Sequence, residues 1–498
     1  MLPILSIVTL AQIVVPLPPA PLPSLPPAVR PAPQSPKILP PLQTIPEQER
    51  IEPQDPLPPV EVFRPQEVRP LPGQLDEVPV FNSNSPEVVQ TEGVLLSTFP
   101  PDKMQVPSAH LNYVFQGRFD FFSHHITRAE TASEARTIFQ GAILANPGTA
   151  PVTVEVLQGA SYLTRPDALF VKLPASVDDP IGTVYAGPGS RAVSDVLRGR
   201  RQGNWPSVIQ IPPGESRMLM NLPIPVGTVL PSANGRSTLL RMRSSGPIHI
   251  ANLAMFSPLN PDKTERIPTL EEWQALLKRS GVSGPRDIPP TPIGEQANYA
   301  RVVYGRVAGV AIGSQWQARL TDGPAASDLT IPRRGYAISY GLSTLYRGAF
   351  GTGQVQSAKL LARYPDTAYL ANGNYGIEYN LTLPLHNATQ QNQTVTIALQ
   401  TPLKEDRKKG GLLFLKPISN QVFFRGPVRV RYTDDRGTAQ VRYVHLVQQR
   451  GQEGEALLKL NLPPGDRRTV QVNLLYPPDS TPPQVLTVRT ENPVAKKP

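Results

Sequence analysis

The sequence predicts an all-β protein: two β-sandwich domains of the immunoglobulin-like class, joined by a short helix and linker, behind a disordered Pro-rich N-terminal segment. Three observations predict it. Short runs of alternating apolar and polar residues recur from about Phe63 onward, bounded by Gly, Pro, Asn and Asp. Two stretches half a chain apart share one pattern, "LANPGTAPVTVEV" from Leu144 and "LHNATQQNQTVTIAL" from Leu385. The chain has 498 residues, more than one hydrophobic core usually serves.

Residues 1–15 read as an export signal. "MLPILSIVTLAQIVV" is apolar and uncharged, with Ala11 as a small residue for cleavage. The run is too short for a membrane-spanning helix, which needs about 20 residues. Residues 16–62 read as a Pro-rich stalk. Positions 16–59 hold 17 prolines in 44 residues. Proline fixes φ and removes the amide donor, so neither helix nor sheet ladder forms there. An extended polyproline II spacer follows, at about 3.1 Å per residue.

Residues 63–262 and 296–498 form the two expected sandwich domains. Runs such as "GRFDFFSHHITR", "VTVEVLQ" and "RVRYT" have strand periodicity. Residues 263–295 form the expected helix and linker. In "IPTLEEWQALLKRSG", Thr269 and Glu272 make a capping box, and Leu270, Trp273, Leu276 and Leu277 share one helical face. The basic Lys278 and Arg279 suit the C-terminal end of the helix dipole.

The repeat extends beyond its opening. "PPGESR" from Pro212 matches "PPGDRR" from Pro463, each placed to turn one strand into the next. After the turn the alternation disagrees. Met218, Met220 and Leu222 sit one residue out of phase with Val470, Val472 and Leu474. A one-residue slip exchanges the faces of a strand, so one copy needs a bulge or a differently packed strand.

Four stretches, "QEVRPLPGQLDEVPVFNSNSPEVVQTEGVLLSTFPP", "YGRVAGVAIGSQWQARLTD", "RGAFGTGQVQSA" and "YPDTAYLANGNYGIEYNLTLPL", resemble a family of uncharacterised exported cyanobacterial proteins, a domain of unknown function. The resemblance covers most of the chain after about residue 63. It implies an envelope location and a two-part body, and it transfers no catalytic residue.

Composition narrows the chemistry. Cysteine is absent, which excludes disulfides, thiolate nucleophiles and Cys-ligated metals. The net charge of +10 comes mainly from scattered arginine, which suits an anionic surface. No zinc-finger spacing, basic helix or RNP-like signature accompanies it, so nucleic acid is not an expected partner. There is no GxSxG elbow and no phosphate loop.

Two constellations remain. His110, Asp120 and His124, with His125 beside them, offer metal-ligand chemistry for a hydrolase. Adjacent strand residues point to opposite faces, however, so His124 and His125 do not share a site without a turn. His249, His386 and His445 are isolated in β-like runs. In "YPDTAYLANGNYGIEYN", Tyr369, Asn372, Asn374, Tyr375 and Tyr379 are the residue types of a glycan-binding face, with rings to stack on sugars and amides to meet hydroxyls.

The expected function is therefore an exported periplasmic or envelope protein, structural or adhesive, with no catalysis and no cofactor. The alternatives are an envelope polysaccharide-binding module and a metal-dependent hydrolase.

Overall fold

Strands fill the chain from Val60 to Thr490 in the computed structural model, as the alternation predicts. The structure describes residues 58–492 except 130, 132–134 and 228–231. The export-signal reading of 1–15 and nearly all of the Pro-rich segment lie outside the described residues. The described strands form sheets of twelve, seven, five and two strands.

The sequence repeat is a structural repeat. Ile138–Ala145 pairs with Ser216–Ile224, and Val152–Leu163 with Val208–Ile211. In the second half Glu378–His386 pairs with Arg467–Leu475, and Gln393–Gln400 with Ala456–Leu462. One asparagine stitches each set together. Asn146 Nδ2 donates to Ala150 O at 2.8 Å, Ile211 O at 3.0 Å and Pro212 O at 3.2 Å. Asn387 Nδ2 donates to Gln391 O at 2.8 Å, Leu462 O at 2.8 Å and Pro463 O at 2.9 Å. Each side-chain oxygen accepts a backbone N–H two residues on, from Gly148 or Thr389. The backbones repeat too: Gly214 N donates to Asn146 O, and Gly465 N to Asn387 O. Both glycines have positive φ, at 69° and 74°, which explains why the turn is PPG in both copies. A carboxamide suits this post because it carries donors for the strand-end carbonyls and an acceptor for its own turn.

The phase disagreement resolves as a bulge. Met218 pairs with Ile143 and Met220 with Ala142, leaving Leu219 as the extra residue. The matching strand Arg467–Leu475 runs against Glu378–His386 without a shift.

Sheet pairing crosses the linear boundaries read from the sequence. The stalk boundary at residue 62 falls inside a strand: Val60–Pro65 pairs with Gly411–Lys416. Glu67–Arg69 then runs parallel to Ala337–Leu342. In the other direction, Ala308–Ile312 pairs with Pro79–Ser83 and carries Ala358–Arg363 onto the sheet of the first half. The boundary at 263–295 therefore divides the sequence repeat but not the sheets. The reason is that backbone pairing is satisfied by whichever edge is nearest in space. Residues beyond 57 belong to one compact unit, and its cores are mixed. Val80, Phe122 and Leu239 pack with Tyr379 and Leu474, while Ala308 and Val310 pack with Phe81 and Leu240.

The helix forms as expected, over Leu270–Arg279, with both capping-box hydrogen bonds between Thr269 and Glu272. Its buried Trp273, Leu276 and Leu277 lie against Val94, Phe139, Ile143 and Leu253, all in the first half. A Cβ on Gly141 would come within 2.5 Å of the Trp273 ring, so a glycine is required there.

A second helix, Pro188–Leu197, was not anticipated. It packs on Val152–Leu163 and Ala233–Phe256 of the first half and on Val422–Thr433 and Arg467–Leu475 of the second. The second half also caps it. The Asp479 carboxylate lies beside Gly189 at its first turn. Arg429 Nη1 donates to Leu197 O at its last turn, at 3.2 Å. A negative group at the N-terminus and a positive one at the C-terminus both complement the helix dipole. Arg241 and Glu378, paired at 2.7 Å and largely buried, form a further bond across the halves.

Asn146→Ala and Asn387→Ala each leave buried strand-end carbonyls without a donor, and each is expected to cost about 2–3 kcal/mol in a urea melt. Asparagine to aspartate at either site should cost more at neutral pH, because a carboxylate would face three carbonyl oxygens. A loss within error for the alanine variants would show that the stitches are dispensable.

Candidate functional site

The histidines spread rather than converge. His124 and His125 both lie on Phe115–Arg128 and face opposite ways. His124 Nδ1 meets Ser237 Oγ at 2.7 Å. His125 is held at both nitrogens, by Ser83 Oγ at 2.9 Å and Pro86 O at 2.8 Å. His110 ends a 3-10 turn, with Nδ1 on Ser97 Oγ at 2.8 Å. Asp120 is buried and paired with Arg118 at 2.5 Å. Among the described residues no three His, Asp or Glu side chains are grouped as metal ligands. Burial holds His124 at about 3 and His125 at about 4, below the usual imidazole range. His445 is held at about 4 for the same reason, and neither of its nitrogens has a partner.

The five residues of the expected glycan face also divide. Tyr379 is wholly buried. Its hydroxyl donates to Gln356 Oε1 at 3.1 Å and accepts from Ser343 N at 2.9 Å and Asn374 Nδ2 at 3.1 Å. Asn374 is buried at a left-handed φ of 49°, and its amide is spent on Ala358 N, Gln356 O and Tyr379. Tyr369 lies beneath the Arg363 guanidinium, 4.0 Å from the ring centre. Asn372 bonds Ser357 and Leu370. The Tyr375 hydroxyl donates to Ser480 O at 3.1 Å.

Asn372, Asn374 and Tyr375 nevertheless line a cavity of about 180 Å³. It sits where three chain segments end together: Asn82 and Asn84 from the strand Pro79–Ser83 and just past it, residues 304–307, and residues 371–375. Lys404 and Thr481 close it from the second half. The strand alternation places Val80, Asn82 and Asn84 on one face. Val80 packs into the core with Phe122, and the two amides continue that face beneath the cavity. Both asparagines are 5% exposed, and the Oδ1 atom of each has no hydrogen-bond partner. Tyr304 donates its hydroxyl to Tyr346 O. Arg306 is committed to Glu87 and Asp287. Lys404 has no carboxylate partner among the described residues. Loss of hydration, with Arg450 nearby, pushes its amine down to about 8.

Asn82, Asn84 and Tyr304 were not singled out from the sequence, while Lys404 lies in the charged run "LKEDRKKGG", whose cations suit an anionic glycan or lipid. The available signal was the "VFNSNS" run, where amides occupy the positions that continue an apolar face.

A family model described as "Protein of unknown function (DUF3370)" matches residues 66–490. The chain belongs to this family. The match takes in the cavity and both asparagine stitches. No curated protein matches the sequence. Among solved structures, the 11S allergen of Cocos nucifera is similar at 10% identity over 76% of this chain and 86% of that one, with a TM-score of 0.11. Bacillus subtilis oxalate decarboxylase is similar at 9% identity over 85% and 79%, with a TM-score of 0.09. At such scores neither likeness informs the fold or the function of this member of the DUF3370 family.

The buried histidines make stability depend on pH. Their folded values lie below the unfolded 6.5, so the unfolded chain protonates first. The stability they contribute is complete above pH 6.5 and is lost as pH falls toward 4. Asp479 opposes this, since burial lifts it to about 6 and the folded chain holds its proton more tightly. His124→Gln keeps a partner for Ser237 and removes one titrating group. It should flatten the loss of unfolding free energy between pH 6 and 4.5 by about 1.4 kcal/mol per pH unit. An unchanged slope in urea melts across that range would show that His124 is not held neutral.

Proposed function

We propose that the protein is an exported, non-catalytic component of the cell envelope, and that it serves a structural or adhesive role. In this reading the two stitched repeats are two sandwich-like, immunoglobulin-related halves of one display body, and the Pro-rich segment is the spacer that carries it. The resemblance to exported cyanobacterial proteins and the apolar start ahead of the proline tract support export.

One observation carries the non-catalytic reading. The side chains with the best chemical credentials, His124, His125, Asp120 and Tyr379, are buried and bonded within the fold. A general acid or base must lie within hydrogen-bond reach of a substrate. A metal-dependent hydrolase based on His110, Asp120 and His124 gains no support from their separate partners. Among the described residues no helix is long and apolar enough to cross a membrane.

A second reading, an envelope polysaccharide-binding module, is favoured by the cavity beneath Asn372 and Tyr375.

Fractionation of the native host, with antibody detection of the full chain and sequencing of its mature N-terminus, tests the proposal. The protein should be recovered with the envelope or periplasm, shortened near Ala11. Recovery in the cytosol with an intact start would overturn it.

A further inference from the structure

We propose that the cavity between Asn84, Tyr375 and Lys404 is a binding site for one saccharide unit that bears an anionic group. This deepens the polysaccharide reading and rests on it for the class of ligand only.

The first support is the state of Asn82 and Asn84. A buried amide oxygen without a partner costs about 1–3 kcal/mol, and a fold seldom leaves two side by side. Both sit on the face that holds Val80 in the core, where apolar side chains would satisfy packing alone. A carboxamide offers a donor and an acceptor, which is the complement of a sugar hydroxyl.

The second support is what surrounds them. Asn372 and Tyr375 bring a third amide and an aromatic ring to the same space. The cavity, at about 180 Å³, is suited to one ring rather than to a long chain. Lys404 adds a cation. Arg306, the other cation at the wall, is already neutralised by Glu87 and Asp287, so Lys404 is the charge left for a ligand. A carboxylate or a phosphate on the sugar supplies the matching anion, and a charge-assisted hydrogen bond is the stronger kind.

The cavity also joins elements distant in sequence. Asn82 precedes the first repeat, residues 304–307 lie between the repeats, and Lys404 and Thr481 belong to the second. Such a site exists only in the assembled body, so occupancy would favour that assembly over separated halves.

The test is calorimetric titration of the full chain with three probes: trigalacturonate, glucose 6-phosphate and neutral cellotriose. One anionic probe should bind, with cellotriose at least about tenfold weaker. Trigalacturonate binding alone would identify a uronate site, and glucose 6-phosphate binding alone a phosphosugar site. Lys404→Ala should remove about tenfold of the affinity for the anionic probe. Asn84→Leu should abolish binding while leaving the melting temperature unchanged or raised, because it replaces an unpartnered buried amide. If that variant does not fold, hydrogen exchange on the unaltered protein gives the same answer: the probe should protect residues 304–307 and 371–375. Failure of all three probes to bind, equal binding of neutral and anionic probes, or binding that survives Lys404→Ala undiminished would overturn the proposal. These results are independent of where the protein resides, so they stand or fall apart from the export reading.

Discussion

The exchange of strands between the two halves is the constraint on which the rest of the structure depends. A strand edge must find backbone partners or face water. Here the first strand after the Pro-rich tract finds its partner at Gly411–Lys416, while Ala308–Ile312 and Ala358–Arg363 complete the sheet begun by Pro79–Ser83 and Phe115–Arg128. The helix Pro188–Leu197 follows the same logic at its ends, with Asp479 beside its first turn and Arg429 donating to the Leu197 carbonyl at its last. Separating the halves would therefore expose sheet edges and a helix with both ends uncapped. It would also break the Arg241–Glu378 pair, leaving Glu378 with Arg429 of its own half at 4.0 Å.

Within each half, a single carboxamide organises the repeat. Asn146 and Asn387 make the same bonds to strand ends that lie 65 and 75 residues away. Much of this was legible in sequence. The paired Asn and PPG motifs marked the repeat, the alternation marked the strands, and the broken phase after the PPG turn called for a bulge or a differently packed strand in one copy, which is the bulge at Leu219. The Thr269 capping box fixed the helix that follows. These signals are local, carried by turn residues and by side-chain period. Partner choice is not local. No feature of "VEVFRP" names Gly411–Lys416 as its neighbour, so the linear domain boundaries did not anticipate the exchange. The helix Pro188–Leu197 escaped because its start, "GPGS", carries turn residues, and its apolar Val193, Val196 and Leu197 serve a seam that exists only after both halves assemble.

The candidate site was half legible for a related reason. Sequence gives residue type, and burial decides use. Tyr379 and Asn374 are the right types for sugar recognition, yet their polar atoms are consumed by Gln356, Ser343 and each other. Asn82 and Asn84 stand in and just past a strand and continue a core-facing row. Only Asn372, Asn374 and Tyr375 of the expected glycan face reach the cavity, and they do so beside residues from elsewhere in the chain. The histidines show the converse. Their chemistry was visible, while the hydroxyl and carbonyl partners that neutralise it were not.

Differential scanning calorimetry of the full chain tests the interlocked body most directly. If the halves depend on each other through exchanged strands and a shared helix, the folded body melts in one transition, with the calorimetric enthalpy equal to the van't Hoff enthalpy. Two resolved transitions, or a calorimetric enthalpy about twice the van't Hoff value, would mean that each half folds alone and that the exchange is incidental.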